Sequence, residues 1–104
     1  MKLGIIQGRL SEPEEGFQEC PTQWQREFEL LVGLKLNHIE WIITSERFGG
    51  NPIFTEDLRY YPISSVCADF MVDEKFYEPD YLKDFLRPTC EAVRRQGIKH
   101  LTIP

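Results

Sequence analysis

The chain has 104 residues, with 12 Lys and Arg against 17 Asp and Glu, a formal net charge of −5 and 41% hydrophobic residues. This length allows one domain with a buried core but falls short of the roughly 250 residues of a closed eight-stranded α/β barrel, so a complete barrel is excluded. The acidic balance disfavours a nucleic-acid partner, and no apolar run approaches the roughly 20 residues of a membrane span, so we expect a cytoplasmic protein without a membrane partner.

The first predicted element is a strand over residues 2–7, an apolar run that is typical of a parallel strand covered on both faces. An exposed loop over residues 9–21 follows, with Pro, Gly and four glutamates. Thr22 and Gln25 stand at the spacing of a capping box and predict the start of a helix. The apolar stripe of this helix should face a sheet and comprises Trp24, Phe28, Leu31 and Val32.

Residues 38–43 are rich in branched and aromatic side chains and predict the second strand, which Glu40 interrupts. Gly and Pro punctuate residues 47–62, so a short helix is expected there, within residues 55–60. Residues 63–68 predict the third strand, which ends at Asp69.

A last helix is predicted over about residues 80–96, and Pro88 inside it should kink or split it near Arg87. Gly97 ends this helix, and a fourth strand begins at residue 100, so the order is β-α-β-α-β-α-β. The apolar stripe of the helix comprises Tyr81, Leu82, Phe85, Leu86, Cys90 and Val93.

Residues 34–39 and 96–101 share a pattern in which a helix ends, a turn residue follows, and the next strand starts after a His. Gly97 adopts a left-handed backbone freely, whereas Lys35 at the matching position would adopt it at a cost of about 1 kcal/mol. The repeat therefore predicts the same turn at both joints.

Alternating strands and helices predict an α/β fold with a parallel sheet, whose functional groups gather at the carboxyl ends of the strands. The polar groups at or near these strand ends are Gln7, Arg9, Glu40, Thr44, Cys67, Asp69 and Thr102. A carboxylate in an otherwise apolar strand is costly unless it has a partner or a function, so a functional role is favoured for Glu40. Arg9 could clamp a phosphate or carboxylate or only pair with a loop glutamate, and Asp69 could contact a ligand or only cap a turn.

Several other residues are interpreted as structural. His38 and His100 stand at strand starts, and Trp24 and Trp41 should pack between helix and strand. The three cysteines show neither a paired framework nor metal-type spacing, so each is expected to be a buried or half-buried thiol: Cys20, Cys67 and Cys90. The acidic loop is interpreted as a solvated surface comprising Glu12, Glu14, Glu15 and Glu19.

Residues 4–11 (GIIQGRLS), 39–41 (IEW) and 63–69 (ISSVCAD) together resemble the sugar-phosphate isomerase/epimerase family, whose members form a xylose isomerase-like TIM barrel. The resemblance covers the whole chain but about the first half of a family member. It implies a single incomplete domain over residues 1–104, the N-terminal half of a (β/α)8 barrel.

The resemblance also implies proton transfer next to a sugar carbonyl, assisted by a divalent metal such as Mn, Mg or Zn. The family's metal-binding and proton-transferring groups come mainly from strands five to eight, so no catalytic residue, metal ligand or cofactor is expected in this chain alone. The matching groups here would lie on the substrate side or behind it: Gln7, Arg9, Glu40 and Asp69.

A half-barrel has open first and fourth strands, so we expect self-association or a complementary half, with a sugar or sugar phosphate as the small-molecule partner. The chain alone is predicted to be inactive. The alternative is a non-catalytic α/β half-barrel module that self-associates or binds a partner.

Overall fold

The computed structural model describes residues 1–13, 18, 20–72 and 78–104. Four strands form one parallel sheet in the order β1-β2-β3-β4, with helices in the connections. The strands are β1 (Gly4–Ile6), β2 (His38–Ile42), β3 (Ile63–Cys67) and β4 (Leu101–Thr102). The helices are α1 (Trp24–Gly33), α2 (Pro52–Thr55), α3 (Pro79–Tyr81) and α4 (Arg87–Arg95). The predicted α/β class, element order and parallel pairing are confirmed.

The core lies on one face of the sheet, between the strands and the helices. Trp24 and Phe28 of α1 pack on Trp41 of β2, with ring centroids 5.5 Å and 6.4 Å from the Trp41 ring. The prediction that both tryptophans pack between helix and strand is therefore confirmed. Val32 at the flank of the predicted stripe is 76% exposed, so its placement in that stripe was wrong.

Strand β1 differs from its prediction, because it is not covered on both faces. Ile5 is half-buried, whereas Gly4 and Ile6 are exposed. β1 pairs with β2 on one side, and no described strand pairs with its other side; β4 likewise pairs with β3 alone. Both borders of the described sheet are thus open.

The start of α1 corrects the predicted capping box. The helix begins at Trp24 after Gln23, and no side-chain hydrogen bond caps that position. The backbone carbonyl of Gln23 accepts from the Arg26 N–H at 3.1 Å. The Thr22–Gln25 spacing therefore located the start of the helix but not its cap.

Helix α2 lies earlier than the predicted residues 55–60. Asn51 caps it by accepting from the Ile53 N–H at 3.0 Å, and Pro52 occupies the first helical turn. Proline suits this position because its missing N–H would have no partner within the helix. The prediction failed because Pro52 was interpreted as a breaker.

The last helical region contains a π-helical turn, Leu82–Leu86, between α3 and α4. Pro88 cannot donate to the carbonyl four residues earlier, and its ring would collide with that carbonyl in a regular helix, which the wider turn avoids. The predicted kink or split near Arg87 is replaced by this π-helical turn, which ends at Leu86 and continues directly into α4. In the predicted stripe, Tyr81 and Val93 are buried and Phe85 and Leu86 half-buried, but Leu82 and Cys90 are exposed, so those two were misplaced.

Both helix–strand joints adopt the predicted left-handed turn, with φ of 58° at Lys35 and 73° at Gly97. After each turn residue, the next N–H returns to a helix carbonyl: Leu36 donates to Leu31 and Ile98 to Val93, each at 3.1 Å. The repeat in the sequence thus marks a repeated structure.

Candidate functional site

The face of the sheet opposite the core carries a polar pair. Glu40 of β2 lies beside Ser65 of β3 in register, and Ser65 Oγ donates to Glu40 Oε2 at 2.9 Å. Alternate residues of a strand point to opposite faces, so Glu40 points away from the buried Ile39 and Trp41. Both members of the pair are half-buried. Ile6 of β1, next to Glu40 in register, is 46% exposed, so this face is open to solvent on the β1 side of the pair, whereas Ile42, two residues after Glu40 on the same face, is buried.

The Glu40–Ser65 pair can bind hydroxyl groups. Glu40 Oε1 has no hydrogen-bond partner among the described residues, so it can accept from a ligand hydroxyl, and the Ser65 hydroxyl can also accept. A carboxylate beside a hydroxyl recognises a polyol better than an apolar molecule, because an apolar ligand would bury both groups without partners.

Gln7 lies at the carboxyl end of β1 and joins that end to β2. Its backbone N–H donates to the Glu40 carbonyl and its side-chain Oε1 accepts from the Ile42 N–H, both at 2.9 Å. Its Nε2 donates to Cys20 Sγ at 3.5 Å. The side chain of Gln7 is buried and extends the β1–β2 pairing beyond the strand.

Arg9 is exposed in the loop after β1. Its Nη1 donates to the backbone carbonyls of Gln7 at 3.3 Å and Gln18 at 2.8 Å. Of the acidic loop, Glu12 is exposed as predicted, while Glu14, Glu15 and Glu19 lie outside the described residues. The described contacts of Arg9 therefore tie it to the backbone of its own loop.

Asp69 begins the 3-10 turn Asp69–Val72, just beyond the carboxyl end of β3. This turn is fixed to β2, because the Phe70 N–H donates to the Ile43 carbonyl at 3.1 Å. Asp69 is half-buried, and its side chain forms no ion pair with another described residue.

The four predicted site residues thus occupy the carboxyl end of the sheet or the uncovered face. Gln7 and Glu40 are joined through the backbone, but no described hydrogen bond or ion pair links the side chains of these four: Gln7, Arg9, Glu40 and Asp69. Their use by a ligand stays a prediction.

Sequence reasoning missed Glu27, a fully buried carboxylate at 1% exposure in α1. Its Oε1 accepts from the Gly8 N–H at 2.5 Å, and its Oε2 accepts from the N–H groups of Leu10 and Ser11 at 2.8 and 2.9 Å. The loop after β1 is therefore wrapped around this carboxylate. The signal was present, since Glu27 lies three residues after Trp24 and four before Leu31, on the apolar stripe of the helix.

The thiols differ in accessibility. Burial raises the pKa of Cys20 from 9.0 to about 12, against the opposing hydrogen bond from Gln7, and the nearby Glu27 charge raises it further. A neutral thiol is a poor nucleophile, so Cys20 is interpreted as structural. Cys67 is half-buried as expected, whereas Cys90 is exposed, which corrects the expectation that all three are at least half-buried.

Within the described ranges, no group of three or more His, Cys, Asp or Glu side chains is arranged to hold a metal ion. Likewise, none of the helices in the described part of the chain is long and apolar enough to cross a membrane.

No protein-family model, curated protein or solved structure matches this chain.

Proposed function

We propose that this chain is the N-terminal part of a sugar-phosphate isomerase or epimerase, and that it supplies the first four strands of a (β/α)8 barrel. The partly exposed face opposite the helices, with its Glu40–Ser65 pair, is the observation that carries this proposal. The sequence resemblance names the same fold and the same class of substrate.

The described sheet has a partly exposed face and two unpaired border strands, which are uncommon in parallel sheets. Closure of a barrel would remove both features. Parallel sheets are normally covered on both faces, yet the described helices pack their buried side chains with Ile39, Trp41 and Val66 on one face. In a closed barrel the other face becomes the interior, and the open borders of β1 and β4 pair with further strands.

In this proposal the chain binds the substrate and leaves proton transfer to groups elsewhere in the barrel. Glu40 accepts from sugar hydroxyls, and Arg9 and Asp69 approach the substrate from the loops after β1 and β3. Gln7 acts by aligning β1 with β2, since its side chain is used within the fold. The 104-residue chain alone is expected to show no isomerase activity with added Mg²⁺ or Mn²⁺.

Ligand titration of the ¹⁵N-labelled chain tests the proposal. Addition of D-ribulose 5-phosphate should shift the amide signals around Glu40, Ser65 and Cys67, with weak affinity because only part of the site is present. Glu40→Gln should weaken binding several-fold, whereas the control Glu29→Gln, on the exposed side of α1, should not change it. The proposal would be refuted if Glu40→Gln binds the sugar phosphate as tightly as the original chain. Turnover by the chain alone above background would also refute it.

The alternative, a non-catalytic module that uses its open borders, also has an observation in its favour. Apolar side chains are exposed at both borders: Leu3 at 53%, Ile6 at 46% and Ile103 at 55%. Sedimentation of the chain at increasing concentration would detect association. Association without sugar-phosphate binding favours the module, and sugar-phosphate binding that depends on Glu40 favours the enzyme.

A further inference from the structure

The loop after β1 forms a binding site for a carboxylate, and the carboxylate comes from the chain itself. Three backbone N–H groups, those of Gly8, Leu10 and Ser11, converge on the Glu27 carboxylate at 2.5–2.9 Å. The Ser11 hydroxyl adds a fourth contact at 3.3 Å. We call the three residues that donate these bonds the Glu27 nest.

The contacts to Glu27 are those of an ionised carboxylate. All four are donors, and Glu27 forms no ion pair among the described residues, so these hydrogen bonds offset the loss of hydration of the buried carboxylate. Successive backbone N–H groups that point into one concavity are a known way of holding an anion. The turn uses a positive φ of 88° at Gly8, a conformation that suits glycine.

The position of the nest links it to the candidate site. Arg9 lies between Gly8 and Leu10, so Glu27 fixes the backbone on both sides of Arg9. Gln18 reinforces the same loop by donating from Nε2 to the Ser11 carbonyl at 3.1 Å. Helix α1 is thereby connected to the carboxyl end of β1 through one buried charge.

We propose that Glu27 is a positioning residue: its carboxylate acts as an internal anion that sets the conformation of residues 8–11 and so places Arg9 at the carboxyl end of the sheet. The part that concerns the loop stands alone, and the part that concerns ligand binding through Arg9 rests on the proposed function.

Amide hydrogen exchange of the 104-residue chain tests the loop part. Glu27→Gln keeps the length of the side chain but removes the charge and one acceptor, and Glu27→Ala empties the nest. Both should speed the exchange of the Gly8, Leu10 and Ser11 amides by roughly tenfold or more relative to the Val66 amide in the core. Glu29→Ala is the matched control, since Glu29 is exposed on the same helix and should leave these amides unchanged.

Rescue by a small anion separates positioning from general stability. Sodium acetate should slow exchange of the nest amides in Glu27→Ala, whereas sodium chloride at equal ionic strength should not, and the original chain should respond to neither. The proposal is overturned if the nest amides stay protected in both variants, or if all amides speed up equally without an acetate effect. Should Glu27→Ala fail to fold, Glu27→Gln decides by the ratio of nest to core exchange.

Binding of D-ribulose 5-phosphate provides the second readout. Glu27→Gln should weaken this binding several-fold with the core amides unchanged. Weakening by Glu40→Gln but not by Glu27→Gln would overturn the ligand part of the inference and leave the proposed function standing. A third outcome is possible: Glu27→Ala speeds exchange of the nest amides and acetate slows it again, but the original chain does not bind D-ribulose 5-phosphate. This outcome would support the loop part and refute the proposed function.

Discussion

On one face of the sheet, Ile39, Trp41 and Val66 lie beneath the helices and are at most 1% exposed. On the other face, Glu40 and Ser65 are half-buried and Ile6 is 46% exposed. The two faces belong to the same strands, so backbone pairing is common to both and only the covering differs. Burial of apolar area makes the covered face the source of stability, while the polar face can meet a ligand at little cost to the fold.

The sharpest contrast between the faces should come from Trp41. Trp41→Ala removes the largest fully buried side chain and leaves Asn51 Oδ1 without its 2.8 Å bond from the indole, so we expect a loss of about 3–5 kcal/mol in the free energy of unfolding. Ile6→Ala on the open face is the matched control and should cost less than about 1 kcal/mol. Urea denaturation measures both, and equal losses would end the distinction between the faces.

Substitution of Gln96 tests whether a buried polar side chain on the helix-covered side of the sheet also stabilises the fold. It accepts from the Leu58 N–H at 2.9 Å and donates to the carbonyls of Ile53 and Glu56 at 3.0 and 2.7 Å, which fixes α2 to α4. Gln96→Ala leaves these groups unpaired and should cost about 1–3 kcal/mol in urea denaturation. Gln25→Ala, exposed on α1, should change stability by less than about 0.5 kcal/mol. If Gln96→Ala leaves the free energy of unfolding unchanged, water replaces the hydrogen bonds of the lost amide.

Substitutions at the two helix–strand joints should change stability through the backbone conformation rather than through burial on either face of the sheet. Lys35 has a φ of 58°, so Lys35→Gly should keep the fold and raise stability by up to about 1 kcal/mol. Gly97→Ala is the converse: open space surrounds the position, but φ is 73°, so a loss of about 1 kcal/mol is expected. Thermal melts check both, and a lower melting temperature for Lys35→Gly would contradict the turn assignment.

The smallest effect is expected on the open face. Ser65→Ala removes the 2.9 Å hydrogen bond to Glu40 but leaves the carboxylate within reach of water, so the free energy of unfolding should change by less than about 0.5 kcal/mol. Chemical denaturation measures this change, with Ser45→Ala in an exposed loop as the reference. A loss above about 1 kcal/mol would mean that the pair stabilises the fold.

Local patterns in the sequence predicted the fold where a single segment carries the information. The repeated joint, the disruption before Pro88 and the four strands were all predicted from neighbouring residues. The helix at Pro52–Thr55 was placed wrongly although Asn51 and Pro52 form an N-terminal signature, because the same residues also suit a loop.

The candidate site was predicted only in part for a different reason. Glu40 was recognised because a carboxylate stands out in an apolar strand, but its partner Ser65 lies 25 residues away and is an unremarkable serine in the sequence. Gln7 was expected on the substrate side of the site or behind it, and its side chain accepts a hydrogen bond from the backbone of Ile42, 35 residues away. Pairings of this kind depend on strand register, which no local pattern specifies for a single polar residue.

By itself, the sequence determined the alternation of strands and helices, the parallel pairing that such an order requires, and the turns at Lys35 and Gly97. Tertiary structure alone decided which polar groups are used within the fold and which remain open, as the opposite situations of Glu27 and Glu40 show. The physical reason is that secondary structure follows from periodicity and backbone preference within a segment. Whether a carboxylate is used within the fold or stays open instead depends on the hydrogen-bond donors that distant segments bring to it.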